Sequence, residues 1–432
     1  MTYSSVIEYL YGLQTHGIKL GLDTMRALLG RIGNPQQRFR AFHIGGTNGK
    51  GSTAAMTAAI LQHSGLRVGL YTSPHLVDFR ERIRVNGGLI SEECVIDSVW
   101  RLRRAAQDDL HPTFFELTTA MAFLHFAESG VDTAVLEVGM GGRFDATNVI
   151  ERPLACAVTT IGLDHQEYLG PTEEAIAHEK GGIIKPAVPI IIGRIGEEAR
   201  SVLRRIASDR SAPVWELDKD FSIHDVRLGS FAYRSVNRVW KELTCRLEGR
   251  HQLDNAACAL AMLDVASGVG TEVTAEAVSG GLHTVSWQGR LERVQELPMV
   301  MLDGAHNPHA ALVLADYFAD FRARHPAARI ILVWGMMRDK DHRRFIAPLL
   351  PLISEIILTQ AQMARSATMQ ELRAVLPEGQ IPIQESALPA VALAVAKTRA
   401  RAEDLICVAG SLMLVGDIKA TLQGCGMSPI RG

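Results

Sequence analysis

Eight consecutive residues, Gly45-Gly46-Thr47-Asn48-Gly49-Lys50-Gly51-Ser52, bring together four glycines, one lysine and two hydroxyls. Glycines let backbone N–H groups come close to phosphate oxygens, and a helix N-terminus behind them adds partial positive charge. Lys50 would neutralise the β- and γ-phosphates of a nucleotide, and the Ser52 hydroxyl would reach Mg²⁺. The spacing departs from the common Gly-x-x-x-x-Gly-Lys-Ser/Thr pattern: position 44 is Ile, and Gly51 separates Lys50 from Ser52. The plainer alternative is a glycine-rich turn before an ordinary helix. Against it, residues 41–44 read as a strand and 53–63 as a helix, the context that a phosphate loop needs.

Further chemistry falls where apolar runs stop. Glu137 ends the run Ala134-Val135-Leu136, where a nucleotide-bound Mg²⁺ would find a carboxylate. Ser73 follows the strand-like run 67–72, and Asp164 and His165 follow the run 154–161. Each has a simpler reading as well. Ser73 precedes Pro74 and could only shape a turn, Asp164 could cap a helix, and His165 could be satisfied structurally.

The elements that must position these groups alternate along almost the whole chain. Strand-like runs at 67–72, 133–138, 154–161 and 189–192 are separated by helical patterns, as in a parallel α/β sheet. A second series has strand candidates at 300–302, 329–333, 355–359 and 405–409. The fold class is therefore α/β, with an N-terminal, loop-bearing, mainly parallel sheet domain and a smaller Rossmann-like C-terminal domain. A boundary near Trp287-Gln288-Gly289-Arg290 gives domains at 1–288 and 289–432. The more polar segment 212–250 is expected to form an antiparallel edge of the first domain. Ligands of such proteins sit outside the carboxyl ends of strands, between domains.

Composition excludes several classes. The 432 residues are 47% apolar and 21% charged, with formal net charge −2, so no basic field points to nucleic acid or an anionic membrane. The six cysteines are scattered without a Cys-x-x-Cys pair, which fits a reducing compartment better than zinc or disulfides. Neither a signal peptide nor a run of about 18 apolar residues is visible. A soluble, cytoplasmic monomer is expected.

Read together, these residues closely resemble the Mur ligase superfamily, and within it the dihydrofolate synthase/folylpolyglutamate synthase family. The matching blocks include the loop itself, Thr72-Ser73-Pro74-His75-Leu76, Arg80-Glu81-Arg82-Ile83, Leu136-Glu137-Val138-Gly139, and Gly142-Arg143-Phe144-Asp145-Ala146-Thr147-Asn148. Later come Asp164-His165, Glu179-Lys180, Asn255-Ala256-Ala257 and Asp303-Gly304-Ala305-His306-Asn307-Pro308.

The resemblance implies a ligase in which ATP phosphorylates a pteroyl carboxylate and the amine of L-glutamate displaces phosphate from the acyl phosphate. Both dihydropteroate and reduced folates are the implied acceptors. It implies ATP contacts from Thr47, Asn48, Gly49, Lys50, Gly51, Ser52, Asn255, Arg290 and Asp303. Two Mg²⁺ ions are implied, at Ser73 and Glu137 and at Glu137, His165 and Lys180. Lys180 would ligate only as a CO₂-derived carbamate, because an ammonium cannot bind a cation. Lys50, His165 and Lys180 stand as the catalytic residues. The pterin is assigned to Leu20, Gly21, Leu22, Thr113, Phe114, Phe115, Glu116, Phe144, Asp145 and Ala146. Glutamate is assigned to His306 and Ser411, with Arg82 added for its charge. The family's usual Trp-Pro-Gly-Arg is here Trp287-Gln288-Gly289-Arg290, which frees the backbone before Arg290.

Two rivals share parts of this pattern. A Mur-type cell-wall ligase has the same loop and metal face, but the blocks assigned to pterin favour folate. A nucleotide-driven switch or nucleic-acid motor would need a basic track or switch loops that the charge balance does not support.

Overall fold

The computed structural model describes residues 2–13, 21–227, 229–267, 271–379 and 381–424. These fall into two compact units. The first is built mainly from residues up to Ser286, and the second from Trp287 onward together with the short pieces Leu76–Asp78 and Leu247–His251.

The first unit holds an eight-stranded sheet. Its strands are β1 (Arg40–Gly45), β2 (Val68–Tyr71), β3 (Ile83–Val85), β4 (Gly88–Leu89), β5 (Thr133–Glu137), β6 (Ala155–Val158), β7 (Ile190–Ile192) and β8 (Val214–Glu216). Their order is β4-β3-β2-β5-β1-β6-β7-β8. Pairing is parallel from β2 through β8, and only β3 and β4 run antiparallel. Strands β5, β6 and β7 are buried at every residue, as sheets covered by helices on both faces require. Helix Lys50–His63 is buried over most of its surface, which its alanines and small hydroxyls permit. Helix Ala275–Thr284 lies against it so closely that a side chain at Gly281 would collide with the backbone of Ile60.

The segment 212–250 corrects one expectation. Only β8 joins the large sheet, and it does so in parallel. The remainder forms a separate three-stranded antiparallel sheet of β9 (Phe221–Arg227), β10 (Ser230–Ser235) and β11 (Val239–Leu243). Along β11 the burial reads exposed, buried, exposed, exposed, buried, so one face packs inward and the other meets water. A strand of that kind suits a small open sheet, not a doubly covered one. The antiparallel edge of the large sheet is the β3–β4 hairpin at its other end.

The second unit carries β12 (Glu292–Gln295), β13 (Met299–Leu302), β14 (Ile330–Trp334), β15 (Glu355–Leu358), β16 (Ile383–Glu385) and β17 (Leu405–Ala409) in the order β12-β13-β17-β14-β15-β16. All neighbours are parallel except β12 with β13. Apolar clusters cover both faces, one around Phe318, Phe345 and Trp334 and the other around Val333, Leu393 and Leu414. No helix among the described residues is long and apolar enough to cross a membrane.

Candidate active site

Strands β2, β5, β1 and β6 are neighbours in the first sheet, and Ser73, Glu137, the glycine loop and Asp164 follow their carboxyl ends in that order. Chain segments distant in sequence are thereby placed side by side.

The loop is tied to the segment after β6. The N–H of Thr47 donates to the Thr160 carbonyl at 2.8 Å, and the Thr47 hydroxyl exchanges hydrogen bonds with the N–H and carbonyl of Gly162, both at 3.1 Å. The N–H of Asn48 donates to the Thr160 hydroxyl at 3.0 Å, and the Thr159 hydroxyl donates to the Asn48 carbonyl at 2.6 Å. Gly46 and Gly49 have φ of 140° and 84°; a Cβ would strike the Thr159 side chain at the first and the Asn255 carboxamide at the second. Asn255, expected at adenine, therefore packs directly on the loop. Its amide donates to Gln252 at 2.9 Å.

Lys50 opens the helix and its ammonium turns back to the carbonyls of Gly46 and Thr47, each at 3.1 Å. The Lys180 ammonium reaches the same Gly46 carbonyl at 3.0 Å and is buried. Burial is the main cause that lowers the pKa of Lys180 to about 7, with the nearby Lys50 charge acting in the same direction and Asp164 and Asp145 opposing. Lys180 therefore gives up its proton more readily than a solvated lysine does. Only 5% exposed, it is not the solvated helical lysine that its position beside Glu179 suggests.

Glu137 is buried at the tip of β5 and accepts the N–H of Ser73 at 3.1 Å, which brings two of the expected metal ligands together. His165 differs. Its side chain is 43% exposed, its φ is 50°, and its ring lies 3.9 Å from the Asp164 carboxylate. Among the described residues no three His, Cys, Asp or Glu side chains converge as a metal cage. One buried carboxylate with an adjacent serine instead fits Mg²⁺ carried in on a nucleotide, for which phosphates and water supply most of the oxygens.

The residues expected at pterin divide into groups. Leu20 lies outside the described residues. Thr113 and Glu116 form a capping box on helix Phe114–Glu128: the Thr113 hydroxyl accepts the N–H of Glu116 at 3.2 Å, and the Glu116 carboxylate accepts the N–H of Thr113 at 2.8 Å. Phe115 presses on Gly139, where a Cβ would collide with its ring. Asp145 is buried and accepts from the N–H groups of Gly139 and Met140 at 2.9 and 3.0 Å, so Phe115 and Asp145 meet through one turn. Burial raises the pKa of Asp145, while these hydrogen bonds oppose the rise. Gly21, Leu22 and Phe144 line a separate cavity.

Arg82 is 2% exposed and joins a chain that the sequence reading did not assemble. Its Nε donates to His75 Nδ1 at 2.8 Å, and His75 Nε2 meets the Tyr11 hydroxyl at 2.9 Å. The Arg82 guanidinium sits 5.1 Å above the Phe114 ring, on which Tyr11 is also stacked. Burial lowers the pKa of Arg82. The Pro74-His75-Leu76 block carried the only sequence signal for His75, and Tyr11 had none.

In the second unit Asp303 is buried after β13 and accepts the N–H groups of Leu291 and Ala305, both at 2.8 Å. The Arg290 guanidinium covers Gly304, where a Cβ would strike it. His306 Nδ1 lies 2.7 Å from the Gly304 carbonyl. Ser411 is buried, and its hydroxyl accepts the N–H of Met413 at 3.0 Å to cap helix Leu412–Gln423.

A phosphate loop at the centre of one parallel sheet, followed by a second parallel α/β unit, is the arrangement of the Mur ligases. The description Mur ligase middle domain matches residues 44–263, and Mur ligase, glutamate ligase domain, matches residues 289–412. A dihydrofolate synthase/folylpolyglutamate synthase of Bacillus subtilis (strain 168) is 34% identical, covering 98% of this chain and 99% of the relative. The structure of Escherichia coli FolC in complex with DHPP and ADP superposes with a TM-score of 0.90 at 32% identity, covering 98% of each chain. A bifunctional folylpolyglutamate synthase/dihydrofolate synthase with Mn, AMPPNP and L-glutamate bound gives 0.88 at 30% identity, over 98% of this chain and 99% of the other. The chain belongs to the dihydrofolate synthase/folylpolyglutamate synthase family of the Mur ligase superfamily.

Proposed function

We propose that this chain joins L-glutamate to a pteroyl carboxylate at the expense of ATP, through an acyl phosphate, and that it accepts both dihydropteroate and reduced folates. The observation that carries the reading is the meeting of Lys50 and Lys180 at the Gly46 carbonyl. Glu137 and Ser73 close the neighbouring strand ends. A carboxylate resists amines until one of its oxygens becomes a phosphate leaving group. A site that positions a γ-phosphate and neutralises its charge supplies what that step needs.

The loop residues Thr47, Asn48, Gly49, Lys50, Gly51 and Ser52 would hold the phosphates, with Asn255 beside the base; Arg290 and Asp303 are the other residues assigned to ATP. Ser73 and Glu137 would hold one Mg²⁺, and Glu137, His165 and Lys180 a second. The metal would neutralise phosphate charge as the phosphoryl group transfers. Lys180 would serve as a carbamate, formed when its neutral amine adds to CO₂ and loses a proton. Its burial and depressed basicity favour that neutral amine. Phe115, Asp145 and Ala146 would flank the pterin. His306, Ser411 and Arg82 would meet glutamate. In this reading residues 1–288 bind ATP and pterin, and 289–432 form the glutamate-ligase domain of a cytoplasmic monomer. The experiment is to incubate the protein with ATP, L-glutamate and each acceptor, and to identify products by mass. Acceptors heavier by one glutamyl residue, formed only with all three substrates, are expected. ATP turnover without acceptor or glutamate, and no mass gain, would refute the reading.

A further inference from the structure

Two carbonyls of the glycine loop carry the site's lysines. Lys50 donates to those of Gly46 and Thr47, and Lys180 to that of Gly46. Each carbonyl belongs to a planar peptide that ends in the N–H of the next residue, and in a trans peptide the two groups point in opposite directions. Among the described residues the cis bonds are Ser73–Pro74 and Leu297–Pro298, so both loop peptides are trans. Their N–H ends are held by one residue outside the loop. The Thr47 N–H donates to the Thr160 carbonyl at 2.8 Å, and the Asn48 N–H donates to the Thr160 hydroxyl at 3.0 Å. Thr160 thereby fixes the direction in which both lysine-bearing carbonyls point.

Thr160 is backed by its neighbour. Having accepted the Asn48 N–H, the Thr160 hydroxyl gives its own proton to the Asn48 carbonyl at 3.1 Å, and the Thr159 hydroxyl donates to that same carbonyl at 2.6 Å. Thr159 is buried and wedged between two glycines. A Cβ on Gly46 would strike its hydroxyl, and one on Gly193, just beyond β7, would strike its carbonyl. Both threonines are β-branched and stiff about their first side-chain torsion, so neither hydroxyl turns away easily. Such a hold is needed here. Two ammonium groups on one carbonyl repel each other, and a loosely held Gly46 peptide would swing toward one and release the other.

We infer that Thr160, backed by Thr159, is a positioning residue for phosphoryl transfer: it aims the Gly46 and Thr47 carbonyls so that Lys50 and Lys180 stand ready before the nucleotide arrives. It touches no reacting atom in this role. Charges held in place beforehand need no reorganisation when phosphate charge develops. The inference rests on the ligase reading above and adds a residue that acts through the loop.

Thr160→Val keeps the β-branch and removes the hydroxyl. It should lower kcat/KM for ATP by about tenfold and weaken the binding of AMPPNP with Mg²⁺, read by calorimetry. KM for glutamate and for the pteroyl acceptor should stay as in the wild type. Thr160→Ser retains the hydroxyl and should recover most of the loss. A residue that only stabilised the fold would change the amount of active enzyme and leave KM for ATP and the AMPPNP affinity alone. Thr159→Val removes one of the two donors to the Asn48 carbonyl, should show the same pattern more weakly, and keeps the test open if Thr160→Val fails to fold. Unchanged ATP kinetics in the valine variants, no recovery in Thr160→Ser, or an equal rise in all three KM values would each overturn the proposal. Weakened AMPPNP binding in the variants of a protein that ligates no glutamate would support the positioning role and refute the ligase reading. Ligation whose ATP kinetics the valine variants leave unchanged would do the reverse.

Discussion

Lys50 and Lys180 donate to one acceptor, the carbonyl oxygen of Gly46, at 3.1 and 3.0 Å. Two ammonium groups on one oxygen repel each other. The arrangement is relieved when an anion takes one of them, or when Lys180 gives up its charge. Lys180→Ala should lower kcat by about two to three orders of magnitude, the usual cost of removing a charge-positioning group. Small carboxylates such as acetate should restore part of it by supplying the missing oxygens. Full activity of the variant without additive would exclude a carbamate at this position.

Glu137 accepts the Ser73 N–H, and in the proposed function it would also hold Mg²⁺. Glu137→Gln keeps the size and an acceptor but removes the charge. The Mg²⁺ concentration for half-maximal rate should rise by about tenfold or more, the scale of losing one hard oxygen ligand. Nucleotide affinity without metal should change little. A metal titration of the initial rate decides it.

Tyr11 buttresses Arg82 through His75. Because His75 Nδ1 accepts from Arg82, its proton sits on Nε2 and is donated to the tyrosine oxygen. Tyr11→Phe keeps the stack on Phe114 but removes the oxygen that this proton meets. Loss of about 1 kcal/mol of stability is expected, read as a lower midpoint in urea. Arg82→Met should raise KM for the acidic substrates much more than KM for ATP.

His43 gives the stability a pH dependence. It is fully buried on β1, with Nε2 2.8 Å from the Thr147 hydroxyl and Nδ1 without a partner among the described residues. Burial, with the charge of Lys185 adding to it, lowers its pKa to about 3. The unfolded chain therefore binds a proton below pH 6.5 that the folded chain refuses, and stability falls as pH drops from 6.5 toward 3. Between pH 7.5 and 5.5 this residue should cost about 1.4 kcal/mol. His43→Gln should flatten that part of the profile in urea titrations at the two pH values. An unchanged slope would show that other groups set it.

Strand ends were the most legible part of the site. Glu137 and Ser73 each stop an apolar run, and the carboxyl end of a buried parallel strand is where a polar group can face a ligand. Lys180 was illegible from local pattern, because a lysine one residue from a glutamate on a short helix looks solvated. Its burial depends on Gly46, which is remote in sequence. The chain from Tyr11 to Arg82 was hidden for the same reason. Strands β12 and β16 escaped notice because edge strands of three or four half-exposed residues carry little apolar signal. The helix-cap roles of Thr113 and Glu116 are readable from their Thr-x-x-Glu spacing, beside the ligand roles that the resemblance implies for them.

The pairing of β1 with β5 sets Arg40 opposite Thr133, while β6, on the other side of β1, begins at Ala155. During synthesis the glycine loop therefore leaves the ribosome long before either of its flanking strands exists. Closing such distant loops is slow relative to local helix formation. A nascent chain ending before β6 should be unable to retain ATP, however well formed its first helices are. Nucleotide capture would then be acquired late in translation, when Lys180 and Asn255 have also emerged.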